Sequence, residues 1–174
     1  LQLAVFWIAT CWLAAGLYFA PRFGKKDPQG QVWGNSALLI ALTVVVVGSL
    51  VGSWASVQGI LTGDNSFLFG HQGYEYVELG RLWQLLLIGG MVFWLWLMFR
   101  ALRPALKNEG SKTGLNHFFF YSAITIPLFY ASGLMYTNHT PVSVAEYWRW
   151  WVVHLWVEGF FEVFATVALA YLSS

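Results

Sequence analysis

The sequence predicts an all-α fold, a polytopic transmembrane helix bundle. Composition is the first observation that predicts it: of 174 residues, 58% are apolar and 10% charged, where soluble domains carry about 25% charged residues. The second is a set of five apolar runs, each of about 20 residues or more, the length that crosses a hydrocarbon core of about 30 Å. The third is the crowding of Lys and Arg into alternate connections. Mean hydropathy is +0.59, with 14 Phe, 11 Trp and 8 Tyr, more apolar surface than a soluble globule of this length can hide. The same numbers exclude disorder. A net charge of +1 from scattered bases leaves no electrostatic footprint for nucleic acid. The single Cys11 forms no internal disulfide.

The first run covers about 1–20 and is expected to stop at Pro21. The others cover about 36–57, 76–102 (stopping at Pro104), 115–136 (kinked at Pro127) and 147–172. Backbone groups in lipid must be satisfied within the segment, so these are helices. The runs lack the alternation of a membrane barrel. Within the second, Gly48 and Gly52 form a small-xxx-small pair that permits close helix packing. Four connections, 22–34, 58–73, 104–114 and 138–144, are punctuated by Gly and Pro.

Arg22, Lys25 and Lys26 lie in the first connection; Arg100, Arg103, Lys107 and Lys112 lie in or beside the third. The second and fourth hold none. Alternate connections share a side, and the positive-inside rule makes that side the cytoplasm. The chain opens in mid-run with no initiator Met and no basic leader, so the expectation is an internal piece of a larger polytopic protein.

The fifth run contains residues a membrane should reject. It reads Tyr147-Trp-Arg-Trp-Trp-Val-Val-His154-Leu-Trp-Val-Glu158-Gly-Phe-Phe-Glu162. Each central charge costs about 2.5–3.5 kcal/mol on insertion scales. The carboxylates must therefore be protonated, wet, paired with another helix or bound to a cation. His154, Glu158 and Glu162 are four apart and share one face of an α-helix. One ion bridges the first two through bonds of about 2.0–2.2 Å. An imidazole and a carboxylate with open positions suit non-haem iron, zinc or manganese. Spacing alone leaves a buried polar cluster open as well.

His71, His117 and His139 lack partners at ligand spacing and read as solvated or interfacial side chains. Glu75 and Glu78, with Arg81, share one face at the outer entrance to the third helix. An exposed helix start explains them, and so does a hard-cation or cofactor-positioning site.

The fifth-run motif closely resembles the corresponding helix of bacterial respiratory nitric oxide reductases. The segment Gly73-Tyr-Glu-Tyr-Val-Glu78 resembles that family's glutamate-bearing segment. His71-Gln72 and Leu102-Arg-Pro-Ala-Leu-Lys107 resemble its quinol-dependent, single-subunit branch more than its cytochrome c-dependent one. The likeness spans residues 1–174, as a partial transmembrane domain of the haem-copper oxidase superfamily. It implies a multi-pass protein of the bacterial inner membrane that reduces two NO to N₂O and water. Electrons would come from quinol, through haem b, to a centre of haem b3 and non-haem iron. By this resemblance His154 and Glu158 are iron ligands, and Glu162 is a nearby acid that tunes the site and relays protons. Glu75 and Glu78 lie near haem propionates and a calcium or water-filled site on the outer side. The remaining iron and haem ligands are expected on other helices of the parent protein, so this stretch alone does not turn over.

Three alternatives stay open. Oxygen-reducing members of the superfamily typically carry Tyr four residues after the helix's His, where this chain has Glu158. A nitric oxide dismutase-like relative differs in iron ligands and quinol residues. A proton-coupled transporter explains the carboxylates but not the Trp-rich match.

Overall fold

The computed structural model describes residues 2–72, 79–107 and 113–173. Its elements are α1 (Gln2–Gly24), α2 (Gln31–Val57), a short α3 (Gly63–Phe69), α4 (Arg81–Lys107), α5 (Thr113–Tyr130) and α6 (Val142–Leu172). A 3₁₀ turn, Ala131–Leu134, follows α5. An isolated antiparallel bridge joins His71 to Leu79. The bundle is helical, as composition requires.

α4 is the hub. Leu97, Met98, Ala101 and Leu102 on it are fully buried. Glycines on its neighbours let their backbones approach it. A Cβ at Gly16 would sit 2.9 Å from Trp94 Cζ2, and one at Gly24 would overlap the Ala101 carbonyl oxygen. Gly48 and Gly52 do the same for α2: added Cβ atoms would strike the Trp83 ring and the Phe69 carbonyl. The small-xxx-small pair thus packs against α3 and the start of α4. Below α4 the core is aromatic. Phe119 and Phe164 stack at 5.0 Å, Trp94 meets Phe164 edge-on at 5.9 Å, and Phe23 meets Phe119 at 5.2 Å. The buried Trp94 indole donates to Leu13 O at 2.9 Å, which satisfies its N–H.

Polar bonds at the two ends fix the up-and-down order. At one end Arg100 Nη2 donates to Gln29 O at 2.5 Å, and Asn116 Nδ2 donates to Ala105 O at 3.3 Å. At the other, Trp83 Nε1 donates to Phe69 O at 2.7 Å, and Arg81 donates to Gly133 O at 2.7 Å and to Tyr136 O. The first and third connections therefore share one end, and the second and fourth the other. Arg22, Lys25, Lys26, Arg103 and Lys107 thus gather toward one end of the bundle.

Four described helices are long and apolar enough to cross a membrane: α1, α2, α4 and α6. The expected fourth, 115–136, becomes an 18-residue α-helix carrying Pro127, then the 3₁₀ turn. It still runs antiparallel beside α4 from Ala105 at one end to Arg81 at the other.

Several boundaries differ from the sequence expectations. Pro21 and Pro104 lie inside their helices, which continue to Gly24 and Lys107. A proline deletes one main-chain bond, but neighbouring helices hold the last turn in place. Ala20 is fully buried, Phe23 stacks on Tyr171, and Asn116 caps Ala105. α2 starts at Gln31, directly after Gly30 at φ 77°, rather than near residue 36. α3 occupies a connection expected to be turn only. The third apolar run becomes helical at Arg81, and α6 begins at Val142 instead of near 147.

Candidate metal centre

α6 is not a uniform α-helix. Val142–Trp150 and Ala165–Leu172 are α-helical, but Trp151–Leu155 and Glu158–Phe164 are π-helical. A π turn closes i to i+5 bonds and so fits an extra residue into the turn, a feature found most often at functional sites. Aromatic contacts hold the widened stretch against α5: Phe129 to Trp151 at 5.9 Å and Tyr130 to Trp156 at 5.5 Å. Gly159 supplies the room. A Cβ there would lie 3.3 Å from Thr125 Oγ1 and 3.7 Å from Phe129 Cδ2.

His154 belongs to the first π stretch, and Glu158 opens the second. Their side chains meet, with His154 Nε2 2.9 Å from Glu158 Oε1. The imidazole stacks on Trp150 with ring centroids 4.1 Å apart, which limits its rotation. Both side chains lie on the outward face of the bundle, 51% and 37% exposed, so additional ligands have access. The separation is a hydrogen bond length with Nε2–H donating. It is also the spacing of adjacent donors around one ion: two bonds of about 2.1 Å at a right angle put their atoms about 3.0 Å apart.

The structure thus brings His154 and Glu158 together. Glu162 is exposed in the second π stretch and takes no part in that pair. The expectation of one α-helical face for all three is corrected by the widened turn, which changes the angle each residue advances. Glu75 and Glu78 lie outside the described residues. His139 is exposed in the connection before α6, and His71 and His117 are half-buried. His117 lies 6.0 Å from the Tyr121 ring. Among the described residues no three His, Cys, Asp or Glu side chains gather in one place. The pair alone does not make up a metal site.

Sequence reading passed over some buried polar groups. Gln84 on α4 is 3% exposed, and its Oε1 has no hydrogen-bond partner; the buried Trp156 Nε1 has none either. Both line a cavity of about 330 Å³ bounded by α1, α4 and α6. A lone Gln inside Arg81-Leu-Trp-Gln-Leu-Leu-Leu87 was the signal available for the first; an indole inside a Trp-rich run gives none.

Long apolar helices define a multi-pass membrane protein, and one of them carries a paired imidazole and carboxylate. The family described as cytochrome c and quinol oxidase polypeptide I matches residues 1–174, and the chain belongs to that family. No curated protein matches the chain. Family membership makes this a haem-copper oxidase-type membrane oxidoreductase of respiratory electron transport, the superfamily that the α6 motif resembles. The family binds haem and a second metal. The imidazole and carboxylate of His154 and Glu158 are donors that fit the second metal.

Proposed function

We propose that the chain forms part of a quinol-dependent nitric oxide reductase of a bacterial inner membrane, with non-haem iron held by His154 and Glu158. The net reaction consumes two NO, two electrons and two protons and yields N₂O and water. The observation that carries this reading is the carboxylate oxygen 2.9 Å from His154 Nε2, at the position where oxygen-reducing relatives typically place a tyrosine. An acidic oxygen beside imidazole shifts a site toward iron, whereas imidazole alone also suits copper.

Each residue has a part. His154 offers the Nε2 lone pair, and its ring plane is set by Trp150. Glu158 brings a negative oxygen that lowers the charge of the bound ion. Glu162, about 6 Å further along the axis, stands outside the ligand pair and holds a proton on a carboxylate oxygen for delivery toward the site. Iron held by these two residues would supply a one-electron redox centre. Haem b and haem b3 take their histidines from other helices of the parent protein, and Glu75 and Glu78 serve the propionate and calcium region on the outer side.

The test uses the full-length protein and compares Glu158→Ala with Glu162→Ala for iron content and single-turnover N₂O formation. Glu158→Ala is expected to lose iron and at least about 100-fold in turnover, the upper range for disturbing a metal's ligand environment. Glu162→Ala is expected to retain iron and lose turnover less severely. Full iron and normal turnover in Glu158→Ala would sink the ligand assignment. Oxygen consumption without NO reduction by the unaltered protein would assign it to the oxidases, and O₂ release from NO without an electron donor to the dismutase-like branch.

A further inference from the structure

α1 and α2 both lie against α4 and leave a cleft of about 640 Å³ between them, within the size range of small-ligand sites. Its body is apolar, lined by Leu17, Leu38, Leu42 and Trp94 among others. The end beside the first connection is polar, with Arg22, Asp27, Gln31 and Asn35. An apolar slot with one polar end has the form of an amphiphile.

The polar end is short of partners. Gln31 is 6% exposed, and neither Nε2 nor Oε1 makes a hydrogen bond; Asn35 Oδ1 is buried and lacks one too. Burying such groups unsatisfied is unfavourable, because nothing replaces the water they gave up. Gln31 is also the first residue of the 27-residue α2, whose opening turn has no side-chain cap and no acidic residue. No side chain caps the positive end of that helix; the Gln31 N–H turns back to Pro28 O at 3.1 Å, and Asp27 is the acid that lines the same end of the cleft. Arg22 lies over the Tyr18 ring at 3.3 Å and donates through Nη1 to Tyr18 O at 2.8 Å, which fixes the guanidinium at the mouth. Lys25 and Lys26 follow in the same exposed connection, against one acid, Asp27. The mouth is cationic and its side is the one the positive-inside rule makes cytoplasmic.

We propose that this cleft binds an anionic phospholipid from the surrounding leaflet. One acyl chain lies between α1 and α2, and the phosphate sits at the start of α2 beside Arg22. The Gln31 Nε2 amide donates to an ester carbonyl oxygen, and Gln31 Oε1 and Asn35 Oδ1 accept from head-group hydroxyls. Basic pockets between membrane helices on the cytoplasmic side recognise such head groups. A zwitterionic lipid fits less well because its terminal cation meets Arg22 and the two lysines.

The experiment reconstitutes the full-length protein in phosphatidylcholine vesicles with a trace of phosphatidylglycerol bearing a photoreactive acyl chain, then maps adducts by peptide mass spectrometry. Adducts are expected at Leu17, Leu38 and Leu42, displaced about fivefold better by unlabelled phosphatidylglycerol than by phosphatidylcholine, the factor one basic residue contributes. Arg22→Gln and Gln31→Leu should each lower these adducts by a similar factor. Labelling at Val44 and Val47, exposed on α2 outside the cleft, should stay unchanged, which also reports that the variants fold. Three results would overturn the proposal. They are equal labelling of cleft and control positions in every variant, no cleft labelling because another helix fills it, and displacement by inorganic phosphate as effective as by the lipid.

Discussion

α4 and α6 are both long and apolar enough to cross a membrane, yet α4 and the middle of α6 solve opposite problems. α4 keeps regular geometry and turns buried Leu97, Met98 and Ala101 toward its neighbours. Glycines on the helices around it make room for this packing: Gly24 against the Ala101 carbonyl, and Gly16 and Gly48 against the Trp94 and Trp83 rings. The middle of α6 gives up α-geometry over two stretches and points His154 and Glu158 outward. Its inward side is still dry: Phe160 and Phe164 are fully buried. One helix devotes its sequence to packing, while the other divides its residues between packing and an outward-facing polar pair. Stability and chemistry should therefore respond to different substitutions.

The largest effect should follow Gly24→Leu. A side chain there overlaps the Ala101 carbonyl oxygen, and neither backbone has room to retreat. Overpacking of this kind costs about 3 kcal/mol or more, so little folded protein should survive size-exclusion chromatography in detergent. Gly89→Leu on the open side of α4, where an added Cβ meets nothing within 4 Å, should leave the yield unchanged. If both behave alike, the close-approach reading of α4 fails.

Next comes Phe119→Ala, which empties the stack against Phe164 and Phe23. A loss of about 3–5 kcal/mol is expected, read as a lowered thermal midpoint. The same protein should keep its ligand pair, so that iron per folded molecule does not change.

His154→Ala reverses the pattern. The imidazole is half-exposed, and its removal should change stability by no more than about 0.5 kcal/mol. Iron content in the full-length protein should nevertheless collapse. A clear drop in thermal midpoint with iron retained would mean that His154 serves packing on Trp150, and the contrast between the two helices would dissolve.

Least disruptive is a sidedness test that places the two regions across the bilayer. In a Cys11→Ser background, which removes an exposed thiol, cysteines at positions 64 and 139 should react with an impermeant reagent applied outside. Cysteines at 25 and 107 should not react in intact cells; reaction there would invert the orientation.

The sequence by itself determined the helical class, because only helices satisfy the backbone of such long apolar runs in lipid. It also carries an expectation of sidedness, since Lys and Arg placement is an insertion-level property that needs no tertiary contact. The four-residue step from His154 to Glu158 was legible for the same reason: neighbours at i, i+4 meet on any near-regular helix. Tertiary structure decided the rest. Pro21 and Pro104 stay helical because Tyr171 and Asn116 hold the turns that follow or carry them, and a local pattern contains no information about such partners. The π turns in α6 depend on α5 and Gly159 accommodating an extra residue per turn, so the phase of Glu162 could not be computed from an ideal 100° step. Gln31 reads in sequence as a polar residue in a connection. It becomes a buried, unpartnered amide only because α1, α2 and α4 close around it, and burial is a property of neighbours that no single segment encodes.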